Sequence, residues 1–249
     1  MNKKISVVTI VYNGESLIEK TILSVINQSY KNLEYLVIDG KSTDNTLEII
    51  NKYKANINII SSEKDTGLYD AMNKGQQLST GDFIIFMNAG DQFYNNQVLE
   101  NIASINNLTS DIYFGETMFV DEVFKEIGVR SVVTPHKLPK KLNKQNFKYG
   151  MVVCHQSIII RKALCSQFNI KYRFCADIDW ILNALEKSNS NINVNMIVSK
   201  YLVGGISDKK KISSLIDRFE VFTKHFGFTK TLYAHCIIVV RFFRKINKL

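Results

Sequence analysis

The sequence predicts an α/β fold in which a mostly parallel sheet is flanked by helices, and three observations lead to it. Residues 5–11 form an unbroken apolar and β-branched run closed by the polar turn Asn13, Gly14 and Glu15, the pattern of a strand buried on both faces. Beyond it, segments with apolar residues at helical spacing alternate with short apolar runs, which is how βαβ units bring their strands parallel. The third is size and make-up: 249 residues, 45% hydrophobic and 22% charged, suffice to bury a substantial core in one domain with a small appendage.

Taken in order, Leu17, Ile18, Ile22, Val25 and Ile26 mark the first helix, and residues 33–38 a second strand ending in Asp39 and Gly40. Residues 46–53 read as a helix, 57–60 as a strand, 68–78 as a helix, and 82–87 as a strand that runs into Asn88, Ala89, Gly90 and Asp91. The second half is more mixed. Residues 111–115 and 118–127 read as strands, 137–148 as a basic connector, 156–160 as a buried strand, and 176–187 as an amphipathic helix carrying Asp177, Asp179 and Trp180. The chain holds only two prolines, Pro135 and Pro139, and no Gly/Ser-rich linker divides it, so residues 1–207 are expected to form one unit.

Charge sets residues 208–249 apart. Of the net charge of +9, residues 205–249 carry +7, and a basic tail asks for an anionic partner such as nucleic acid or phospholipid headgroups. Ile212, Leu215, Ile216, Phe219, Phe222 and Phe226 follow helical spacing. Residues 232–243 are apolar almost all round, but His235 and Arg241 interrupt them and they fall short of the roughly 20 residues a membrane span needs. Two readings stand: a helix packed on the domain, or a peripheral helix meeting anionic lipid through Arg241, Arg244, Lys245 and Lys248. The apolar run at the N-terminus is too short for a signal peptide, so a cytoplasmic protein is expected, at most at the cytoplasmic face of the inner membrane. Cys154, Cys165, Cys175 and Cys236 fit no zinc or redox spacing and read as scattered reduced thiols.

Ligands of open α/β sheets bind at the carboxyl ends of the strands, which here points to residues 9–13, 39–44 and 88–91. Carboxylates at buried strand ends are expensive unless something uses them, and Asp39 is the clearest case: it either closes its turn or contacts a ligand. Asp44 reads as a helix cap. Asp70, Asn73 and Lys74 fall on one helical face, which taken alone is a solvated face with an internal Asp70/Lys74 pair. Asp91 offers a single carboxylate, and a divalent ion bound to a diphosphate takes only one or two from the protein.

In their order and spacing, residues 6–13 (SVVTIVYN), 24–30 (SVINQSY), 34–40 (EYLVIDG), 65–75 (DTGLYDAMNKG), 81–91, His155 to Ser157, Ala176 to Asp179, and Gly204 to Ser207 resemble family 2 glycosyltransferases of the GT-A fold, a Rossmann-like architecture. The likeness is closest to short bacterial enzymes that extend lipid-linked sugar repeats. It implies inverting transfer of a hexose from a nucleotide sugar, UDP by family habit, onto an undecaprenyl-diphosphate-linked saccharide in surface-polysaccharide assembly. Residues 1–115 would then bind the donor and 116–207 the acceptor. Thr9, Tyr12, Asp39, Asp65, Asp70, Asn73 and Asn88 would line the donor pocket. Asp91 would hold Mn²⁺ or Mg²⁺, with Asn88 and Gly90 standing where other members often carry aspartates. Asp177 matches the base that takes the acceptor proton, with Asp179 as the alternative on another helix face. His155, Gln156, Trp180 and Ser207 would lie on the acceptor or diphosphate side, and residues 204–211 would form a loop that closes over the diphosphate with Lys209 to Lys211.

Two rivals remain. A nucleic-acid-binding protein accounts for the charge but lacks interleaved basic and aromatic residues. A sugar nucleotidyltransferase also uses a Rossmann-like sheet, but such enzymes usually open with a glycine-rich, basic loop, and residues 11–15 have neither feature.

Overall fold

The computed structural model describes residues 3–204 and 211–246. Its sheet has nine strands: β1 (Ile5–Val11), β2 (Leu33–Asp39), β3 (Ile59–Ser62), β4 (Phe83–Phe86), β5 (Gln92–Phe93), β6 (Ile112–Val120), β7 (Glu126–Val129), β8 (Ile158–Arg161) and β9 (Asn191–Leu202). The order is β3-β2-β1-β4-β8-β6-β9-β5, with β7 paired to the free part of β6. β3, β2, β1 and β4 are parallel; β8 inserts antiparallel between β4 and β6, and β9 runs parallel to β6.

Strand β1 is buried along its whole length, as an apolar run flanked on both sides must be. Alternate residues serve opposite faces. Val7 and Val11 join the core under α1 (Ile18–Ile26), α2 (Thr46–Lys52) and α4 (Val98–Asn106). Val8 and Ile10 join the core under α3 (Leu68–Leu78) and α6 (Ala176–Lys187). Helix α3 lies close to β1 because Gly75 has no side chain: a Cβ there would stand 2.4 Å from Val8 Cγ1. That contact fixes where the first turn of α3 presents its polar groups.

The tail folds back onto this body. Val221 and Phe222 of α7 (Lys211–Phe226) belong to the α3/α6 core, and α8 (Phe228–Ile246) packs on α7 through His235 against Phe219 and Phe222. Among the described residues no helix is long and apolar enough to cross a membrane. The four cysteines are free thiols.

The expected helices at 68–78 and 176–187 appear with those bounds. Residues 111–115 and 118–127 differ: β6 joins most of the first to the start of the second, and a turn at residues 121–125 leads into β7. Gly115 continues the strand because the backbone of β9 crosses there, Met196 O lying 2.6 Å from a would-be Cβ, and a register shift after Phe114 absorbs the irregularity. The strand expected at 156–160 begins only at Ile158, since His155–Ser157 is a 3₁₀ turn. Strands β5 and β9, helix α4 and the short helix α5 (Arg130–Val133) are elements for which no expectation was stated.

Candidate active site

At the carboxyl ends of β1 and β2 the chain builds a rigid rim. Asp39 is fully buried and accepts from Ser42 N at 3.1 Å, Ser42 Oγ at 2.5 Å and Ser62 Oγ at 2.6 Å. It therefore organises its own turn as well as marking the strand end. Tyr12 stands beside it with its ring exposed. Gly40 is what lets this corner close, for a Cβ there would meet Asp65 Oδ2 at 2.5 Å and Tyr12 Cδ2 at 3.3 Å. Asp65 Oδ1 accepts from Gly67 N at 2.9 Å, and Asp70 Oδ2 from Thr66 N at 2.9 Å. Tyr12, Asp39 and Asp65 thus share one corner, and Asp70 shapes the loop that enters α3.

Two residues expected beside them point elsewhere. Thr9 falls on the α1/α4 face of β1 and is buried, donating to Met87 O at 2.8 Å and meeting Tyr35 Oη at 3.1 Å. Asn73 clasps the backbone of Phe168 from both sides, at 2.9 and 2.7 Å, tying α3 to the segment before α6. Both are structural, because their polar atoms are already paired within the protein. The Asp70/Lys74 pair does not form; Lys74 reaches Glu63 at 3.1 Å instead. Asp44 holds the start of α2 by accepting from Thr46 N at 3.0 Å.

A second group gathers where β4 ends, the 3₁₀ turn begins and α6 starts. Asn88 Nδ2 lies 3.2 Å from His155 Nε2, and His155 Nδ1 lies 3.2 Å from Asp177 Oδ2. Asp177 Oδ1 accepts from Tyr69 Oη at 3.2 Å and from Ile178 N at 2.9 Å. Burial, then the charge of Asp177, raises the Tyr69 hydroxyl well above its ordinary range, so Tyr69 stays protonated and donates. Tyr69 is the member of this group with no stated expectation; its signal was an aromatic residue in the first turn of the 65–75 segment.

Asp91 is buried next to this line. Gln156 Nε2 donates to its Oδ2 at 2.9 Å and Leu202 N approaches Oδ1 at 3.4 Å. Desolvation outweighs these bonds and the nearby His155, pushing the carboxyl up to about 7. Asn88 Oδ1 is buried with no hydrogen-bond partner. A carboxylate that burial leaves short of positive charge and an orphaned amide oxygen are hard donors of the kind Mg²⁺ or Mn²⁺ takes. No group of three His, Cys, Asp or Glu is close enough to hold a metal by itself among the described residues, so further ligands would come from a diphosphate and water.

Asp179 and Trp180 are corrected by their surroundings. Asp179 Oδ1 accepts from Lys224 Nζ and from His225 Nε2, each at 2.7 Å, and its side chain is 2% exposed. Burial alone would raise its carboxyl, but the bonds from His225 and Lys224 hold it below the usual range. That carboxylate anchors α7. Trp180 lies one turn deeper in α6, stacked on Phe168 with centroids 5.0 Å apart and donating to Gln76 Oε1 at 3.0 Å. It is core, not cleft. Ser207 and Lys209 to Lys210 lie outside the described residues, as does the side chain of Lys211.

Comparison with known proteins shows the family and the fold. A glucosyltransferase of Escherichia coli named UDP-Glc:alpha-D-GlcNAc-diphosphoundecaprenol beta-1,3-glucosyltransferase WfaP is 28% identical over 98% of this chain and 94% of its own length. A PGL/p-HBAD biosynthesis glycosyltransferase of Mycobacterium bovis is 28% identical over 88% of this chain and 85% of its own. The crystal structure of S. aureus TarS in complex with UDP superposes with a TM-score of 0.68 at 19% identity, over 97% of this chain and 72% of that one, and shares the GT-A fold. Residues 6–167, more than half of the chain, match the family described as Glycosyl transferase family 2, and with the strand-end site above this places the chain in that family as a glycosyltransferase.

Proposed function

We propose that the chain is an inverting hexosyltransferase that uses a UDP-sugar and an undecaprenyl-diphosphate-linked saccharide acceptor in bacterial surface-polysaccharide synthesis. The observation that carries this reading is the placement of Asp177. It lies in the first turn of α6, tied to the first turn of α3 through Tyr69, and its oxygens are oriented by Tyr69 and His155. Oδ1 is filled by two donors, whereas Oδ2 keeps a lone pair after His155, and the side chain is 14% exposed. That lone pair is the acceptor for a hydroxyl proton.

Asn88 supplies an amide N–H to His155 Nε2, which leaves the ring proton on Nδ1, facing Asp177. The histidine N–H fixes the carboxylate rotamer. Tyr12 offers an exposed ring for a base to stack on, and Asp39 and Asp65 offer acceptors for base and ribose. Asp91 and Asn88 Oδ1 would hold Mn²⁺ or Mg²⁺, and that ion when bound supplies charge against the departing diphosphate. Gln156 keeps Asp91 in place for that task. The chain would work as a peripheral protein at the cytoplasmic membrane face, where such an acceptor resides.

The test is direct. UDP-, GDP- and dTDP-hexoses are offered with a synthetic GlcNAc diphosphate carrying an alkyl chain, and the product is read by proton NMR. Release of UDP with a glycosidic bond of configuration opposite to the donor is expected. Retained configuration contradicts inversion, and release of free pyrophosphate would return the chain to the nucleotidyltransferase reading.

A further inference from the structure

Asp177 also lines a cleft of about 230 Å³, and none of the residues Tyr12, Asp39 and Asp65 contributes to its wall. Arg130 from α5 and Arg218 from α7 line it, together with His136 and the apolar Met151, Phe174 and Ile178. Arg130 is buried, yet every hydrogen bond recorded for it goes to a backbone carbonyl: Val152 at 3.0 Å, His136 at 3.4 Å, and Met151. Arg218 Nε is buried with no acceptor. Neither arginine has an ion-pair partner among the described residues. Two guanidinium groups share a cleft whose one carboxylate, Asp177, is already bound by Tyr69 and His155, and that excess of positive charge is costly in a protein on its own and favourable once an anion arrives.

The two helices that bring these arginines also carry bare aliphatic side chains. Val132 and Val133 on α5 are exposed, as are Ile212, Leu215 and Ile216 on α7. A cationic cleft built from helices that also expose aliphatic side chains suits an amphipathic anion rather than a water-soluble one. Guanidinium forks match phosphate oxygens in particular.

We propose that this cleft binds the diphosphate of a lipid-linked acceptor, with Arg130 and Arg218 on its oxygens and the first part of the hydrocarbon chain lying along Val132, Val133 and the Ile212/Leu215/Ile216 stripe. This deepens the proposed function, on which it rests for the identity of the acceptor. It explains how a free hydroxyl would reach Asp177: the sugar hangs between its own diphosphate and the base, and the lipid leaves toward the tail helices. The same chemistry could belong to the donor diphosphate, and the experiment separates the two.

Farnesyl diphosphate, inorganic pyrophosphate and UDP are titrated calorimetrically into the full chain and into Arg218→Gln, with Arg130→Lys as the second variant and circular dichroism as the check of folding. Arg218 is half-buried, so its replacement threatens the fold less than that of Arg130. The expected result is saturable binding of farnesyl diphosphate, weakened roughly tenfold or more in Arg218→Gln by loss of a charge-assisted bond, with the UDP affinity unchanged. Equal farnesyl diphosphate affinity in wild type and folded variants overturns the site. A parallel loss of UDP affinity assigns the arginines to the donor and overturns it too. Pyrophosphate binding as tightly as farnesyl diphosphate overturns the aliphatic half. If the wild type does not bind UDP while farnesyl diphosphate behaves as stated, the UDP-donor reading fails and this site stands.

Discussion

Asp91→Asn isolates the stress that the proposed metal position places on the fold. The Asp91 carboxyl rises from an ordinary 3.8 to about 7, chiefly because burial disfavours its charge. A raised acid makes its full contribution to stability below the unfolded value of 3.8 and loses it as pH climbs through about 7. At ~1.4 kcal/mol per unit, the penalty is on the order of 4 kcal/mol at pH 8 and 1–2 kcal/mol at pH 5. Asparagine has the same shape and its carbonyl can still accept from Gln156, so the substitution removes the charge and little else. In the presence of a chelator, Asp91→Asn should therefore gain roughly 2–3 kcal/mol over wild type between pH 5 and pH 8, a shift of about 5–8 °C in Tm for a domain of this size. Urea melts of both proteins at the two pH values measure it. A constant difference between the two proteins across that range would refute the reasoning, since it would show that burial does not hold Asp91 near 7. Added Mn²⁺ should raise the wild type at pH 8 and leave the variant unmoved.

Gly40→Ala would place a methyl 2.5 Å from Asp65 Oδ2 and force that side chain off its Gly67 contact; UDP affinity by calorimetry should fall about tenfold while Tm moves little. Asp179→Ala strands Lys224 and His225 beside a buried gap, and because Lys224 is partly exposed the loss should be about 2–4 kcal/mol in urea unfolding. Its UDP affinity should stay at the wild-type value, and a stable Asp179→Ala protein without turnover would move the base role to Asp179.

The first half of the fold was legible because its signals are local. A seven-residue apolar and β-branched run closed by a polar turn, such as Ile5–Val11, reads as a buried strand, and α3 and α6 show clean helical spacing. β9 carried no expectation, and its pairing with β6 joins residues about 80 positions apart, which makes it non-local. β6 looked broken at Gly115 because the crossing backbone that requires glycine there comes from β9. At the site, Asp39, Asp65, Asp91, His155 and Asp177 stood out by type and position: Asp39 and Asp65 meet at the Gly40 corner, while His155 bonds Asp177 and its neighbour Gln156 bonds Asp91. What sequence could not tell is which face a polar side chain serves. Thr9 is turned into the core by the period of the strand, Asn73 is spent on the Phe168 backbone, Trp180 is one turn too deep, and Asp179 is claimed by a tail helix whose docking only the tertiary structure reveals.

The central claim is that Asp177 takes the acceptor proton, and Asp177→Asn tests it most directly. With acceptor and donor saturating, kcat should fall by about three orders of magnitude or more, while the calorimetric UDP affinity and the Tm stay near wild type. Turnover within tenfold of wild type, in a folded protein that still binds UDP, would contradict the account.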